Sequence, residues 1–205
     1  MDTYRRMTST AHEDAGRLET ATEQVEAYIR EHLSEPRLRH VEGVARYAVW
    51  LAERFGEDPT RARLAALAHD MAREWPEDEM REWALSDGLG ESGLEREKPK
   101  ILHGRAAARM LQMHYCVSDP EILAAIRSHT LGERRMGRLE KILYCADYLE
   151  PGRLYIENEF REEVESLDLD AMVCACVEHN TRRGHAPAEE SLSMYRELCG
   201  KEYPD

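Results

Sequence analysis

The stretch Leu64-Ala65-Ala66-Leu67-Ala68-His69-Asp70-Met71 constrains the whole chain. It is an apolar helical run that ends in an adjacent histidine and aspartate, and the remaining elements can be read as supplying partners to that pair. Consecutive residues on a helix point about 100° apart, so the pair can place an imidazole and a carboxylate on the two edges of one stripe. Together they can clasp a metal ion, with the carboxylate free to bridge to a second. Two adjacent residues recur by chance in many chains, so the weight of the pair depends on what other segments offer.

Helical spacing recurs along the sequence. Leu18 to Leu33 reads as a first helix. After Pro36 a second runs to Phe55, with Val41, Val44, Ala45, Ala48, Leu51, Ala52 and Phe55 at i, i+3, i+4, i+7 spacing, and Gly56 closes it. Asp58-Pro59-Thr60 has the form of a helix start and opens the helix expected to carry His69 and Asp70. Pro76-Glu77-Asp78-Glu79 begins a polar helix, Ser86 to Pro99 has the Gly, Ser and charge content of a loop, and a fifth helix follows from Ile101 to His114. Asp119-Pro120-Glu121 opens Ile122 to Thr130, and Leu139 to Glu150 is stopped by Pro151-Gly152. Glu159 to Leu198 gives two or three more helices, broken near Leu167-Asp168 and at His185-Ala186-Pro187. There is no alternating run and no internal repeat. The expected fold is all-α, a single helical bundle over residues 17–205 preceded by a flexible polar extension over residues 1–16.

Composition removes several classes of function. With 41 acidic against 28 basic residues the formal charge is −13, and no basic cluster is interleaved with aromatics, which argues against a nucleic-acid polymer as partner. A small anion remains admissible if cations are concentrated locally. No run approaches the ~20 apolar residues of a membrane span, and the first fifteen residues lack the apolar core of a secretory signal. A cytoplasmic protein is expected. The five cysteines, Cys116, Cys145, Cys174, Cys176 and Cys199, never form Cys-x-x-Cys and read as reduced core thiols; Cys174 and Cys176 would point their sulfurs to different faces of one helix.

Several ionisable residues fall on apolar stripes. His40 lies in line with Val44, Tyr47 and Leu51, His103 with Ala107 and Met110, His129 with Ile122 and Ile126, and Asp147 with Leu143 and Ala146. A buried imidazole or carboxylate without a partner costs about 2 kcal/mol or more, so each placement needs an explanation. Added to His69 and Asp70, the set is four histidines and two aspartates over five helices, a ligand type and number suited to two divalent first-row metals. His12, His32, His114, His179 and His185 lie in the polar tail, at helix ends or in loops, and read as solvated.

In order, His40, His69-Asp70, His103, His129 and Asp147 resemble the HD-domain metal phosphohydrolase superfamily. Its plain form needs only the first His, the His-Asp and the last Asp, and the added His103 and His129 resemble its dinuclear branch. Leu67-Ala68-His69-Asp70-Met71-Ala72-Arg73, Leu102-His103-Gly104, Ala125-Ile126-Arg127-Ser128-His129-Thr130-Leu131-Gly132 and Ile142 to Arg153 are similar to the YqeK-type symmetrical diadenosine tetraphosphatases, over roughly Val25 to Leu198. This chain has Arg73 where that family usually has lysine, and Leu131 where it usually has threonine.

The resemblance implies an HD-domain bundle that hydrolyses a small dinucleoside polyphosphate to two nucleoside diphosphates. It implies two divalent transition-metal ions, iron first, with manganese or zinc as alternatives. Asp70 would bridge the ions, His40, His69 and Asp147 would complete one site, and His103 and His129 the other. Arg73 and Arg153 are the expected phosphate binders, Thr130 could hydrogen-bond a phosphate or a water, and Arg134 and Arg135 would form a phosphate lip. A mononucleotide phosphohydrolase on the same centre and a non-catalytic nucleotide sensor are the alternatives. Homodimerisation is left open. No dedicated aromatic base-sandwich is legible, and Tyr144, Tyr148 and Tyr155 read as core or rim residues.

Overall fold

At the centre of the computed structural model is a ten-residue helix whose second half, Leu64 to Ala68, is apolar throughout. This is α3 (Pro59–Ala68), in which Ala62 and every residue from Leu64 to Ala68 is buried. A segment without a polar face has to be enclosed, and the four buried alanines of α3 let neighbours approach closely. It touches α1 (Asp2–His32), α2 (Glu35–Phe55), α6 (His103–His114), α7 (Pro120–Ser128) and α8 (Arg138–Leu149). The structure describes the backbone of residues 2–200 and 203, and side-chain surroundings from residue 16 to 200 and at 203.

The start of α3 is fixed as its sequence dictates. Pro59 occupies the first turn, and the Asp58 carboxylate accepts a hydrogen bond from the Thr60 amide at 2.8 Å. Arg61 then forks onto Asp119, Nε to Oδ2 and Nη2 to Oδ1 at 2.8 Å each, which ties the start of α3 to the start of α7. Gly56 ends α2 at φ 70°, a left-handed conformation that glycine adopts without the strain of a Cβ.

Around this centre α4 (Glu77–Leu85) packs on α6, α8 packs on α2 and α7, and α10 (Leu169–Arg182) packs on α8 and α11 (Glu189–Cys199). A short α9 (Asn158–Glu165) connects α8 to α10. There is no strand among the described residues, so the all-α expectation holds. Among these residues no helix is long and apolar enough to cross a membrane.

Five details differ from the sequence reading. His179, read as solvated, is buried, its ring stacked on Phe160 at 3.9 Å between centroids and its Nδ1 2.9 Å from the Tyr148 hydroxyl. The helix expected from Leu18 begins at Asp2, because the polar stretch before it offers no apolar period by which a start could be placed. The loop expected over Ser86 to Pro99 contains a one-turn helix, α5 (Gly93–Glu97), held by a reciprocal cap in which Ser92 Oγ accepts from the Glu95 amide and Glu95 accepts from the Ser92 amide. Pro99–Leu102 is a 3-10 turn rather than the first turn of α6. Finally, Cys174 is disulfide-bonded to Cys199, so these two are not reduced thiols. The partner lies 25 residues away, and the α10–α11 hairpin brings their Cα atoms to 6.4 Å. Cys145 and Cys176 are buried free thiols, as expected, and Cys116 is an exposed one.

Candidate metal centre

Five elements deliver polar groups to one point beside the end of α3. His40 comes from the second turn of α2 and Asp147 from the last turn of α8; His103 opens α6, and His129 caps the end of α7. His69 and Asp70 were expected within a helix, but α3 ends at Ala68 and the pair lies in the turns that follow. The chain tightens there into bonds from Met71 N to Ala68 O at 3.1 Å and from Arg73 N to Asp70 O at 2.9 Å. Helical periodicity predicts neither the end of α3 nor the tightening.

The resulting distances are short. His40 Nε2 is 3.0 Å from Asp147 Oδ1, His103 Nε2 is 3.1 Å from Asp70 Oδ1, and His103 Nε2 is 3.0 Å from His129 Nε2. His69 Nε2 is 3.6 Å from Asp70 Oδ2 and 3.9 Å from Asp147 Oδ1. Two ligand groups, His40-His69-Asp147 and His69-Asp70-His129, each have their donor atoms within 4.8 Å of one another.

The outer edges of the imidazoles fix their tautomers. His69 Nδ1 lies 2.6 Å from Ala66 O, His103 Nδ1 2.5 Å from Lys100 O, and His129 Nδ1 2.7 Å from Ile126 O. A carbonyl oxygen can only accept, so each Nδ1 carries the proton and, in the neutral ring, each Nε2 turns a lone pair inward. His40 Nδ1 meets the Glu150 carboxylate at 3.1 Å. Gly43 and Gly152 make room for that carboxylate, since a Cβ on either would sit 2.5 Å or 2.8 Å from Glu150 Oε2.

This arrangement fits divalent ions. His69 is fully buried, and its Nε2 has no hydrogen-bond partner. His103 and His129, each with Nδ1 turned to a carbonyl, face each other Nε2 to Nε2 at 3.0 Å, an approach that a cation beside the two nitrogens stabilises. Imidazole with carboxylate is the donor set of first-row transition metals rather than magnesium.

The electrostatics agree. Burial, followed by the neighbouring His103 and His69, pushes His129 down to about 3, and burial also lowers His69, so both rings are neutral near pH 7. Burial would lower His40 as well, but its hydrogen bonds to Asp147 and Glu150 raise it to about 8. Burial opposes ionisation of Asp70 and Asp147, yet His69 and His103 around the first, and Arg153 and His40 around the second, hold both well below the usual carboxylate range.

Of the other expected site residues, two reach this centre. Thr130 Oγ1 is 3.1 Å from His129 Nε2, and Arg153 binds Asp147 through both the carboxylate Oδ1 and the backbone carbonyl. Arg73 is half-buried in the turn three residues past Asp70, and its guanidinium has no ion pair among the described residues. Arg134 points outward to Glu197 at 3.1 Å and Arg135 is exposed, so neither is drawn to the centre. The sequence reading missed Arg37, whose Nη1 lies 2.6 Å from Asp70 Oδ2, and Glu150. Arg37 stands on the same face of α2 as Val41 and Val44, one turn before His40, which is the signal that could have found it.

The family described as HD domain matches residues 37–152, more than half of the chain and every one of the six clustered His and Asp residues. The chain belongs to the HD domain family. Among curated HD relatives, a symmetrical bis(5'-nucleosyl)-tetraphosphatase of Bacillus subtilis is 38% identical over 65% of this chain and 71% of its own length. One of Halalkalibacterium halodurans is 35% identical over 83% of this chain and 92% of its own. A solved structure from Clostridium acetobutylicum, described as a predicted HD superfamily hydrolase involved in NAD metabolism, superposes with a TM-score of 0.78 at 29% identity, covering 87% of this chain and 96% of that one.

Proposed function

We propose that this HD domain protein is a dinuclear-metal hydrolase that cleaves dinucleoside tetraphosphates, diadenosine tetraphosphate first among them, into two nucleoside diphosphates. The observation that carries the reading is the set of inward Nε2 atoms, the orphaned one of His69 and the opposed pair of His103 and His129, arranged about Asp70 and Asp147. The relatives named as symmetrical tetraphosphatases supply the substrate class and the position of the cut.

His40, His69 and Asp147 would hold one ion, His103 and His129 the other, and Asp70 would serve both. Iron is the proposed metal, with manganese or zinc as alternatives, and the protein is proposed to act in the cytoplasm. When bound, such ions would supply a water of lowered pKa and would neutralise phosphoryl charge. The chain's own residues orient the substrate. Arg153, anchored on Asp147 through Nε and Nη2, has a further N–H on each Nη and a positive charge to offer a phosphate at the edge of the centre. Thr130 offers a hydroxyl beside His129, and the guanidinium of Arg73, without an ion pair among the described residues, is the second phosphate binder. Arg134 and Arg135 are left as an outer phosphate lip. These cations are what allows a chain of net charge −13 to hold a polyphosphate.

The test combines metal analysis of anaerobically purified protein with chromatography of the products from diadenosine tetraphosphate. About two transition-metal ions per chain, ADP as sole product and loss of turnover on chelation are expected. AMP with ATP, or free phosphate, would reassign the specificity. Full activity in chelator would sink the metal reading altogether.

A further inference from the structure

The segment between α8 and α9 is tightly built, yet it holds two apolar residues out in solvent. Arg161 is buried beneath it and donates to Leu149 O at 2.9 Å, Ile156 O at 2.8 Å and Arg153 O at 2.6 Å. Ile156 is buried, and backbone bonds run from Arg153 N to Glu150 O at 3.0 Å and from Ile156 N to Arg153 O at 3.1 Å. Between these anchors Leu154 is 93% exposed and Tyr155 40% exposed. The hydrogen-bonded backbone thus holds a leucine and a tyrosine side by side at the surface.

Tyr155 is tied to the metal centre through a single side chain. The guanidinium of Arg153 that binds Asp147 also donates from Nη1 to the Tyr155 hydroxyl at 2.8 Å. The phenol therefore stands one guanidinium away from the carboxylate at the centre. Its ring is backed by a second cation, the Arg183 guanidinium at the end of α10, whose Cζ lies 3.9 Å from the ring centroid. No aromatic ring packs on Tyr155 among the described residues, and Arg153 approaches only the hydroxyl edge, its Cζ 5.8 Å from the centroid. With its hydroxyl held and Arg183 over the ring, Tyr155 keeps 40% of its surface exposed.

We propose that Tyr155, backed by Arg183 and flanked by Leu154, is a stacking platform for one nucleobase of the substrate. The proposal rests on the nucleotide reading above and adds to it the site of base recognition. A phosphate bound by Arg153 at the centre and a base laid on Tyr155 belong to one nucleotide, because the same guanidinium spans both. Stacking accepts any base, since every base has a π face, and a guanidinium behind the phenol draws electron density from it and favours an electron-rich purine on the open side. Recognition at this position is thus of base as a class, suited to diadenosine and diguanosine tetraphosphates alike.

The experiment uses the full metal-loaded chain and compares wild type with Tyr155→Ala, Tyr155→Phe and Tyr155→Trp. Steady-state kinetics on diadenosine tetraphosphate are measured alongside inhibition by inorganic tripolyphosphate, which has no base, and calorimetric binding of ADP. The platform predicts that Tyr155→Ala raises KM and weakens ADP binding by about tenfold or more, that Tyr155→Trp restores both, and that tripolyphosphate inhibits wild type and Tyr155→Ala equally. Tyr155→Phe keeps the stacking face and stays within a few-fold of wild type. If wild type turns over the substrate and Tyr155→Ala has the wild-type KM and ADP affinity, the platform is wrong and the hydrolase reading stands. Equal loss of ADP and tripolyphosphate affinity would also overturn it, by showing that Tyr155 acts only through Arg153. If wild type does not turn over diadenosine tetraphosphate, the hydrolase reading fails, and the ADP comparison still decides the platform.

Discussion

Gly104→Ala should disable the centre without replacing a ligand. Gly104 follows His103 in the first turn of α6, and a Cβ placed on it would meet Ile126 O at 2.8 Å, Arg127 O at 3.1 Å and His129 Cε1 at 3.2 Å. The nearest obstacle is backbone of α7, which cannot rotate aside as a side chain can. It lies about 0.6 Å inside the 3.4 Å at which ordinary contact begins. Two terms compete. Alanine is the better helix former by about 1 kcal/mol, whereas overpacking of a rigid site costs about 1–3 kcal/mol. The net loss of stability is about 0–2 kcal/mol, a fall in Tm of up to about 8 °C for a chain of this size. The functional effect is larger, because α6 and α7 must part by several tenths of an ångström across the His103–His129 pair, which now stands at 3.0 Å. Misorienting a ligand typically costs 10–100-fold in metal affinity. Metal content by elemental analysis after dialysis, a competition titration for the weaker ion and a thermal melt of the metal-free protein measure the three quantities. A variant that melts higher, as helix propensity alone requires, and keeps both ions and wild-type turnover would refute the argument.

Arg153→Ala should lower kcat/KM on a polyphosphate substrate by roughly 10–150-fold, the equivalent of losing a charge-assisted hydrogen bond worth ~1.5–3 kcal/mol, with metal content unchanged; kinetics equal to wild type would make Arg153 a partner of Asp147 and nothing more. Arg105 is a buried strut between α6 and the loop before it, forked onto Asp87 at 2.9 and 2.6 Å and reaching Glu95 at 2.8 Å. Breaking a fully buried pair costs ~3–5 kcal/mol; discounted for partial exposure, Arg105→Ala should cost ~2 kcal/mol at pH 7, about 4–8 °C in Tm. Burial alone would raise Asp87 and Glu95, but Arg105 holds both below the ordinary carboxylate values. Their contribution is therefore full above about pH 4–5 and is lost as pH falls through the depressed folded values. The gap in Tm between wild type and Arg105→Ala should close below about pH 4; a gap unchanged at pH 3 would assign the effect to packing.

The six clustered residues were legible because each shares a stripe with apolar neighbours or an adjacent ligand, and because their order along the chain matches a known family. Capping was legible for a related reason: Asp58, Gly56 and Asp119 act through bonds to residues within four positions of themselves. What escaped acts at long range. Arg37 meets Asp70 across 33 residues and Glu150 meets His40 across 110, and no local period records such a meeting. The Cys174–Cys199 bridge escaped for the same reason, since the sequence invites comparison of Cys174 with Cys176 two positions away, not with a residue on the next helix. Arg134 is likewise set by a long-range partner: close in sequence to His129, it is held by Glu197 of α11 at 3.1 Å, on the outer side of the centre.

The protonated edges of the histidines determine which parts of the centre substitution can retune. His69, His103 and His129 each bond to a main-chain carbonyl three residues earlier, and every residue type supplies that carbonyl. The bond that sets each tautomer is thus insulated from side-chain change at the position that supplies the carbonyl. His40 differs, because the group that sets its tautomer is a carboxylate, and a carboxylate can be exchanged. An amide at position 150 would weaken the pull on the His40 ring, and a residue too short to reach would release it. Variation at Gly43 or Gly152 would act through the same carboxylate by crowding it. A change in the preferred metal, whether selected in the laboratory or accumulated by descent, has its entry at Glu150 and the two glycines beside it, while the other three imidazoles keep their aim.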